Sequence, residues 1–342
     1  MATMHAPAIE RSADASGIDS ALINEWQRGL PLVSRPFATI ALALGTGEEN
    51  VIARLKALQA RGAIARVGGV VRPNTLGAST LAALAAPELR VDEVARRLAE
   101  IPGINHIYLR ENARNLWFVV TGPDRDYVDA ALRRIESETG LAVLDLRLER
   151  AYHIDLGFTM NRPQERRYHN AGSARPRPEI ACDAIDRAIA QTMTIGLPLT
   201  SRPFKEAGRT IGLSEETMIR RVQRLADAEI LPRIGVIVRH RALGWRANAM
   251  VVFDIADDRI EAAGTALSQA PGINLCYRRT RYAESWPFNL YCMVHARSRD
   301  EAFATLERAV GQAELATVQK EILFSLHCFK QTGALITAPE AA

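Results

Sequence analysis

The stretch GLPLVSRPF at Gly29–Phe37 decides the fold, because it returns almost unchanged as GLPLTSRPF at Gly196–Phe204. The offset between the two stretches is 196 − 29 = 167 residues. The same offset maps Arg66 onto Arg233. A repeat of this kind indicates a duplicated chain, and it has to be recognised before any fold is assigned.

The repeat continues through the second half of each copy. IPGINHIYLR from Ile101 matches APGINLCYRR from Ala270, and NLWFVV from Asn115 matches NLYCMV from Asn289. The insertion RYAESWPF at Arg281–Phe288 exists only in the second copy. The two copies therefore share one scaffold but differ in their details.

The first part of each copy has the pattern of a winged helix-turn-helix. In the second copy Ser214 precedes Glu215 and Glu216, an order that suits an N-cap followed by acidic residues at the positive start of a helix. Behind them, apolar residues recur at helical spacing, namely Met218, Val222, Leu225 and Ala226. The following segment PRIGVIVRH predicts a strand or wing.

The second part of each copy alternates strands and helices in the order βαββαβ, a ferredoxin-like unit. In the second copy we predict strands at 248–254, 273–279, 289–295 and 318–324, with helices at 259–269 and 300–310. The first copy follows the same order from Ser79 to Leu148. The predicted fold class is α+β, with two tandem copies of winged helix-turn-helix plus ferredoxin-like domain.

These patterns divide the chain into seven segments. They are a flexible N-terminus at 1–18, winged helix-turn-helix units at 19–76 and 183–243, ferredoxin-like units at 77–158 and 244–332, a linker at 159–182 and a frayed tail at 333–342. The linker is rich in Pro, Arg and Gly, a composition typical of exposed connections. We expect the two ferredoxin-like units to pair their sheets and to shape a ligand pocket.

Composition limits the class of protein. The 342 residues are 48% hydrophobic and 24% charged, with net charge +4, a mild excess that suits nucleic acid or a small polyanion. No C-x-x-C pair is present among the cysteines, which argues against a zinc ribbon, an iron–sulfur site or a disulfide framework. No apolar segment approaches the length of a membrane span, which needs about 20 residues. We expect a soluble, cytoplasmic protein without membrane contact.

A winged helix-turn-helix followed by a ferredoxin-like unit resembles the Lrp/AsnC regulators, and it does so twice over nearly the whole chain. Three segments of the second copy are similar to motifs of the siroheme decarboxylases: RHRALGWRANAM at Arg239–Met250, CYRR at Cys276–Arg279 and WPFNLYCMVH at Trp286–His295. LERAYHIDLGF at Leu148–Phe158 resembles the partner-type subunit of those enzymes. The whole chain is similar to the fused NirD–NirL form associated with heme d1 biosynthesis.

This resemblance implies a carboxy-lyase that removes two acetate carboxyls from siroheme and gives 12,18-didecarboxysiroheme. It implies no added cofactor and no metal of the protein's own, since the iron arrives with the substrate. Two alternatives stay open: an Lrp/AsnC-type DNA-binding regulator that senses a small ligand, and a non-catalytic tetrapyrrole carrier. The alternative heme pathway and a homodimer stay open as well, whereas nucleic acid is not expected as a partner.

Proton donors for such a reaction are sought among the histidines, because imidazole titrates in the useful range. His295 is the first candidate, since it ends a strand whose alternation places it on one face with Tyr291 and Met293. His240, after the wing, is a candidate second acid or axial ligand to the substrate iron, and an ordinary surface histidine in a basic turn is the alternative. The axial role is also open to His295. The aligned residues of the first copy are Thr121 and Pro73, so the second copy is expected to carry the working site.

Arginines are expected to hold the carboxylates that are kept, because guanidinium forks match carboxylates. The candidates are Arg239, Arg246, Arg278 and Arg279. Since Arg278 and Arg279 are successive strand residues, only one of them should face the pocket. Tyr277 and Trp286 are candidates for stacking on the macrocycle, with a core role as the alternative for both.

The remaining histidines are given no catalytic role. His153 lies in the motif resembling the partner-type subunit, where we expect a structural or inter-domain role. The others, without such context, are His5, His106, His169 and His327.

The regulator alternative depends on Arg220, Arg221 and Arg224, which a recognition helix would present to DNA. The equivalent helix of the first copy carries Arg54 and Lys56 but begins with two acids. A DNA reader of this class presents two equivalent helices, so the difference between the copies weakens this alternative.

Overall fold

The computed structural model describes residues 15–154 and 180–338, and it has the α+β fold with two tandem copies predicted above. The first copy contains α1 (Ala15–Asn24), α2 (Pro36–Ala43), α3 (Glu48–Ala60), β1 (Ile64–Val70), β2 (Ala78–Leu84), α4 (Val91–Glu100), β3 (Ile104–Arg110), β4 (Leu116–Gly122), α5 (Arg125–Thr139) and β5 (Leu144–Ile154). The second contains α6 (Ala184–Ile195), α7 (Pro203–Thr210), α8 (Glu215–Asp227), β6 (Arg233–Val238), β7 (Ala247–Phe253), α9 (Ile260–Gln269), β8 (Ile273–Arg279), β9 (Leu290–Ala296), α10 (Arg299–Gln312) and β10 (Lys320–Gln331).

The two winged helix-turn-helix units join through their wings. Strands β1 and β6 pair antiparallel, with Gly68 opposite Gly235. A Cβ at Gly235 would lie 2.5 Å from backbone atoms of Trp26 and Gln27, so only glycine permits this approach. The helices of both units then share one apolar core, which makes the pair a single packed body.

The two ferredoxin-like units close into one barrel through their last strands. The first part of β5 pairs with β2 of its own copy, and from Leu148 onward it pairs with β8 of the other copy. In the same way β10 pairs first with β7 and from Ser325 onward with β3. The result is a closed eight-stranded barrel in the order β10-β3-β4-β2-β5-β8-β9-β7. Closure leaves no free sheet edge and places the inner faces of both copies around one interior.

Strand alternation separates an outer core from the barrel interior. On β7, for example, Ala249 and Val251 pack under the helices of the second copy, while Met250 and Val252 belong to an interior cluster. That cluster draws on both copies, since it also contains Trp117 and Leu146. It fills part of the interior with apolar side chains.

Two predicted boundaries differ from the structure. Helix α1 begins at Ala15, and Ile18 is buried in the shared winged-helix core, so the N-terminal segment does not extend to residue 18. The tail after Gly333 is not frayed as far as residue 338, because Ile336 is buried in the same core and the Leu335 amide donates to Thr121 Oγ1 at 2.8 Å. Residues 1–14, 155–179 and 339–342 lie outside the described part, so the linker prediction is described only from residue 180.

We expect Gly264→Ala to destabilise the protein, because it disrupts packing between the copies at the barrel seam. A Cβ at Gly264 in α9 would lie 2.3 Å from the ring of Tyr152 on β5, and such overpacking costs about 1–3 kcal/mol. The matched control is Gly311→Ala in α10, where a Cβ would meet nothing within 4 Å. Thermal melting should show a lower Tm for Gly264→Ala only. Equal Tm values for the two variants would contradict close packing between the copies at this seam.

Candidate active site

A row of four polar residues crosses the barrel interior on neighbouring strands, and we call it the polar row. Arg110 on β3 pairs with Ser325 on β10, and Asn248 on β7 pairs with His295 on β9. Ser325 and Asn248 follow the registered pair Phe324–Ala249, which places them side by side. The row therefore joins one strand of the first copy to three of the second.

The polar row contains buried atoms whose hydrogen bonds are incomplete. Within the described ranges, no hydrogen-bond partner is found for Arg110 Nε, Ser325 Oγ or Asn248 Oδ1. Buried polar atoms are normally paired, since leaving one without a partner costs about 1–3 kcal/mol. Several such atoms side by side give this surface unused hydrogen-bonding capacity that suits a polar ligand.

His295 faces the interior as the alternation predicts. Its neighbours Cys292 and Val294 pack in the outer core, while Tyr291 and Met293 lie with the interior cluster. The His295 Nδ1 atom lies 3.0 Å from Oδ1 of Asn274, a buried residue on β8. Because an amide oxygen only accepts hydrogen bonds, Nδ1 carries the hydrogen. Nε2 is therefore the acceptor nitrogen of the neutral ring.

The structure brings His240 and His295 together. His240 opens a short 3₁₀ helix, His240–Leu243, between the wing and β7. The two ring centroids are 5.7 Å apart with an angle of 50° between the planes. Burial, with the neighbouring Arg110, lowers the pKa of His295 to about 4, and burial, with His295 and Arg233, lowers the pKa of His240 to about 3. Both imidazoles are therefore neutral at pH 7 in the ligand-free protein.

Two equivalent Tyr-x-Arg pairs face the interior, one from each copy. In the first copy the Arg110 guanidinium lies 5.4 Å from the ring centroid of Tyr108, and Nη1 donates to the Leu323 carbonyl at 3.0 Å. In the second copy Arg279 lies 5.1 Å from the ring centroid of Tyr277, and its Nη1 donates to the Leu146 carbonyl at 2.9 Å. In the described part of the chain the Nε atoms of both arginines are buried without a hydrogen-bond partner. The interior thus carries positive charge suited to an acidic ligand.

The other predicted site residues are distributed differently. Arg278 is on the opposite face from Arg279 and is bound by Glu149 at 2.7 Å and by Glu261 at 3.5 Å. Of the two successive arginines, the structure places Arg279 toward the interior and Arg278 on the outer face. The carboxylates already neutralise Arg278, which removes it from the site.

Arg239 and Arg246 are both exposed, outside the barrel interior and near the 3₁₀ helix. Between them, Arg241 donates through Nη1 to the Ser325 carbonyl at 3.2 Å. The structure therefore places these two predicted arginines at the rim and the unpredicted Arg241 against the polar row.

Trp286 is a core residue and is not available for stacking on a ligand. It is 4% exposed and packs on Trp117 and Phe288, with ring centroids 5.3 and 4.9 Å away. Its Nε1 donates to the Tyr291 hydroxyl at 2.7 Å. The inserted segment of the second copy therefore supplies an anchor for the interior cluster.

Sequence reasoning missed Arg110, Tyr108, Asn248 and Ser325. A signal for the first two was present, since the repeat aligns Tyr108 and Arg110 with Tyr277 and Arg279. No sequence signal marks the other two, because they join the site only through pairing between distant strands.

Two of the three basic residues named for the second recognition helix, Arg221 and Arg224, are held by ion pairs. Arg221 binds Asp183 at 2.9 Å and Asp186 at 3.0 Å, and Arg224 also binds Asp186. Nearby, a groove of about 480 Å³ includes Glu215 and Glu216 in its lining. The same groove is also lined by Arg220, so the ion pairs reduce the positive charge that this helix offers to DNA phosphates without removing it.

Comparison with known proteins agrees with this architecture. A model described as "Siroheme decarboxylase NirDL-like HTH domain" matches residues 19–64 and 186–231, and one described as "AsnC-like ligand binding domain" matches 75–153 and 242–330. The siroheme decarboxylase NirDL subunit of Paracoccus denitrificans is 49% identical over 93% of this chain and 97% of its own length. The chain belongs to the NirDL siroheme decarboxylase family.

More distant similarity is found both to a sequence relative and to solved structures. The siroheme decarboxylase of Hydrogenobacter thermophilus is 28% identical over 89% of this chain and 90% of its own. A crystal structure of the siroheme decarboxylase NirDL superposes with a TM-score of 0.65 at 24% identity, covering 93% of each chain. A second, in complex with an iron-uroporphyrin III analogue, gives 0.63 at 23% identity over 93% and 92% of the chains.

None of the described helices is long and apolar enough to cross a bilayer. Within the described ranges, no three His, Cys, Asp or Glu side chains come together to hold a metal ion.

We expect His106→Leu to reduce the loss of stability in acid. Leucine is the chosen substitution because Leu275 occupies the aligned position in the second copy. Burial, together with Arg66, lowers the pKa of His106 to about 4, so between pH 6.5 and 4 the unfolded chain binds a proton that the folded chain does not. Stability is therefore lost as the pH falls through this window. Between pH 7 and 5 the variant should lose about 2 kcal/mol less than the unsubstituted protein.

Denaturant unfolding at the two pH values measures this difference. His327→Leu, which removes an exposed imidazole from β10, controls for the substitution itself. An unchanged pH dependence in His106→Leu would show that this imidazole is protonated as readily in the folded chain as in the unfolded chain.

Proposed function

We propose that the chain is a siroheme decarboxylase that converts siroheme to 12,18-didecarboxysiroheme within the barrel interior. The observation that carries the proposal is the paired imidazoles of His240 and His295 beside the buried guanidinium of Arg110, whose Nε has no hydrogen-bond partner among the described residues. Relatives 49% identical over 93% of the chain are named siroheme decarboxylase NirDL subunits, which supports the same activity here. We place the reaction in heme d1 biosynthesis.

Each decarboxylation needs one proton. The bond between the acetate methylene and its carboxylate breaks, carbon dioxide leaves, and the electron pair passes into the pyrrole ring system. Protonation then completes a methyl group, so two protons are consumed for each siroheme. A positioned acid within hydrogen-bond reach meets this need.

We assign His295 as the principal proton donor and His240 as its partner. In the ligand-free protein both pKa values are depressed, mainly by burial. A bound polycarboxylate adds negative charge beside the rings, which raises the imidazole pKa and favours the protonated acid. Before that proton arrives, either neutral imidazole has the form needed for an axial ligand to the substrate iron.

Electrostatics of the interior support a substrate with several carboxylates. Arg279, stacked near Tyr277, is our candidate for holding one acid arm of the macrocycle. Arg239 and Arg246 are exposed near the 3₁₀ helix, where they would guide an anionic ligand inward. Because the iron belongs to the substrate, the proposed chemistry uses no separate cofactor.

The direct test is anaerobic incubation of the purified protein with siroheme, followed by mass spectrometry. We expect a product lighter by two carbon dioxide units. His295→Ala and His240→Ala should each lower kcat by at least about 100-fold, the usual contribution of a general acid.

His327→Ala removes an exposed imidazole and serves as the matched control. Tight binding of siroheme without any turnover would instead establish a carrier. Sequence-specific, salt-sensitive DNA binding without turnover would establish a regulator.

A further inference from the structure

The first copy, which lacks the histidine pair, contributes a buried cation next to His295. Arg110 is 6% exposed, and burial lowers the pKa of its guanidinium to about 10, which still leaves it charged at pH 7. Its Nη1 hydrogen-bonds to one backbone carbonyl, and its Nε finds no partner within the described ranges. A buried charge with so few hydrogen-bond partners is energetically costly unless a ligand neutralises it.

The direction of the Arg110 side chain follows from its strand. Ile107 and Leu109 pack under the helices of the first copy, so Tyr108 and Arg110 point to the opposite face, into the barrel. There Arg110 lies close enough to His295 for its charge to oppose protonation of that imidazole. The guanidinium and the proposed proton donor therefore face the same space, although they come from different copies.

We infer that Arg110 binds a carboxylate that siroheme keeps, a propionate, and so positions the neighbouring acetate against His295. The inference rests on the proposed function and deepens it. On each pyrrole-type ring of a uroporphyrin-derived macrocycle, an acetate and a propionate occupy adjacent carbons. An anchor on the propionate therefore fixes the place of the acetate beside it.

The chemistry of the step separates the two acid arms. An ion pair with the acetate carboxylate stabilises the substrate but is lost as carbon dioxide departs, so it raises the barrier. An ion pair with the propionate persists from substrate through product and costs nothing in the step itself. Arg110 therefore serves the reaction best as the anchor of the arm that stays.

The pseudo-equivalent Arg279 gives the second copy the same kind of anchor. Both arginines donate to a carbonyl of a barrel-closing strand, Leu323 on β10 and Leu146 on β5. Only Arg110 has the histidine pair beside it. At the corresponding positions of the first copy, Thr121 replaces His295 and Pro73 replaces His240, so Arg279 has no equivalent pair. Arg110 is thus the anchor whose position determines which acetate reacts.

The test compares siroheme with its didecarboxylated product, which keeps the propionates but lacks the two acetates. Anaerobic absorbance titrations give Kd for both ligands with the unsubstituted protein, Arg110→Gln and Arg110→Lys, and turnover gives kcat and KM. We expect Arg110→Gln to weaken both ligands by a similar factor of about 10 to 100, the range for one charge-assisted hydrogen-bonded contact. Arg110→Lys should recover part of this affinity for both.

Two results would overturn the inference. A loss confined to siroheme would show that Arg110 holds the departing acetate, and unchanged Kd values for both ligands would show that it holds neither. If Arg110→Gln does not fold by thermal melting, the comparison in Arg110→Lys decides, because the charge is kept and the fork geometry is lost.

Arg299→Gln is the charge-matched control. Arg299 is exposed and paired with Glu111, next to Arg110 in sequence but outside the barrel. It should leave both Kd values unchanged, so that an equal loss in this variant would assign the effect to net charge and contradict a specific anchor. Binding of siroheme without release of carbon dioxide by the unsubstituted protein would contradict the proposed function alone.

Discussion

The whole arrangement depends on two long strands that each belong to both copies. Strands β5 and β10 begin in their own sheet and finish in the sheet of the other copy. Backbone hydrogen bonds satisfy both edges at once, so neither four-stranded sheet can present its inner face to solvent. A barrel interior enclosed by both copies follows from this single constraint.

Enclosure gives the interior two different regions. One is filled by an apolar cluster in which Trp117 of the first copy packs on Trp286 of the second. The other carries the polar row and the two imidazoles. A largely apolar macrocycle with acidic arms matches such a surface, because rings pack on apolar walls while guanidinium groups bind the acids.

Duplication explains why the two halves of the barrel interior correspond to each other but carry different side chains. The Tyr-x-Arg pair and its carbonyl contact are kept in both copies, whereas His295 and His240 align with Thr121 and Pro73. The wings and helices of the two winged helix-turn-helix units share one core. In the second unit, Arg221 is held by Asp183 and Asp186 within that unit. These units position the 3₁₀ helix that carries His240.

Much of this could be predicted from the sequence, because periodicity encodes which face a residue occupies. The repeat, the order of elements, the inward face of His295 and the opposite directions of Arg278 and Arg279 all follow from it. Pairing between strands more than 200 residues apart, such as β3 with β10, leaves no local pattern, so the place of Ser325 beside Arg110 could not be predicted. The inserted segment has no hydrophobic periodicity. The sequence therefore left both a stacking and a core role open for Trp286, and the structure shows the core position.

The most direct measurement is a crystal structure of the protein with siroheme bound under anaerobic conditions. We expect the macrocycle inside the barrel, with its edge at His295 and carboxylates bound by arginines from both copies. A macrocycle seated outside the barrel, for example in the groove lined by Leu32 and Glu215 between the winged units, would contradict a shared interior site.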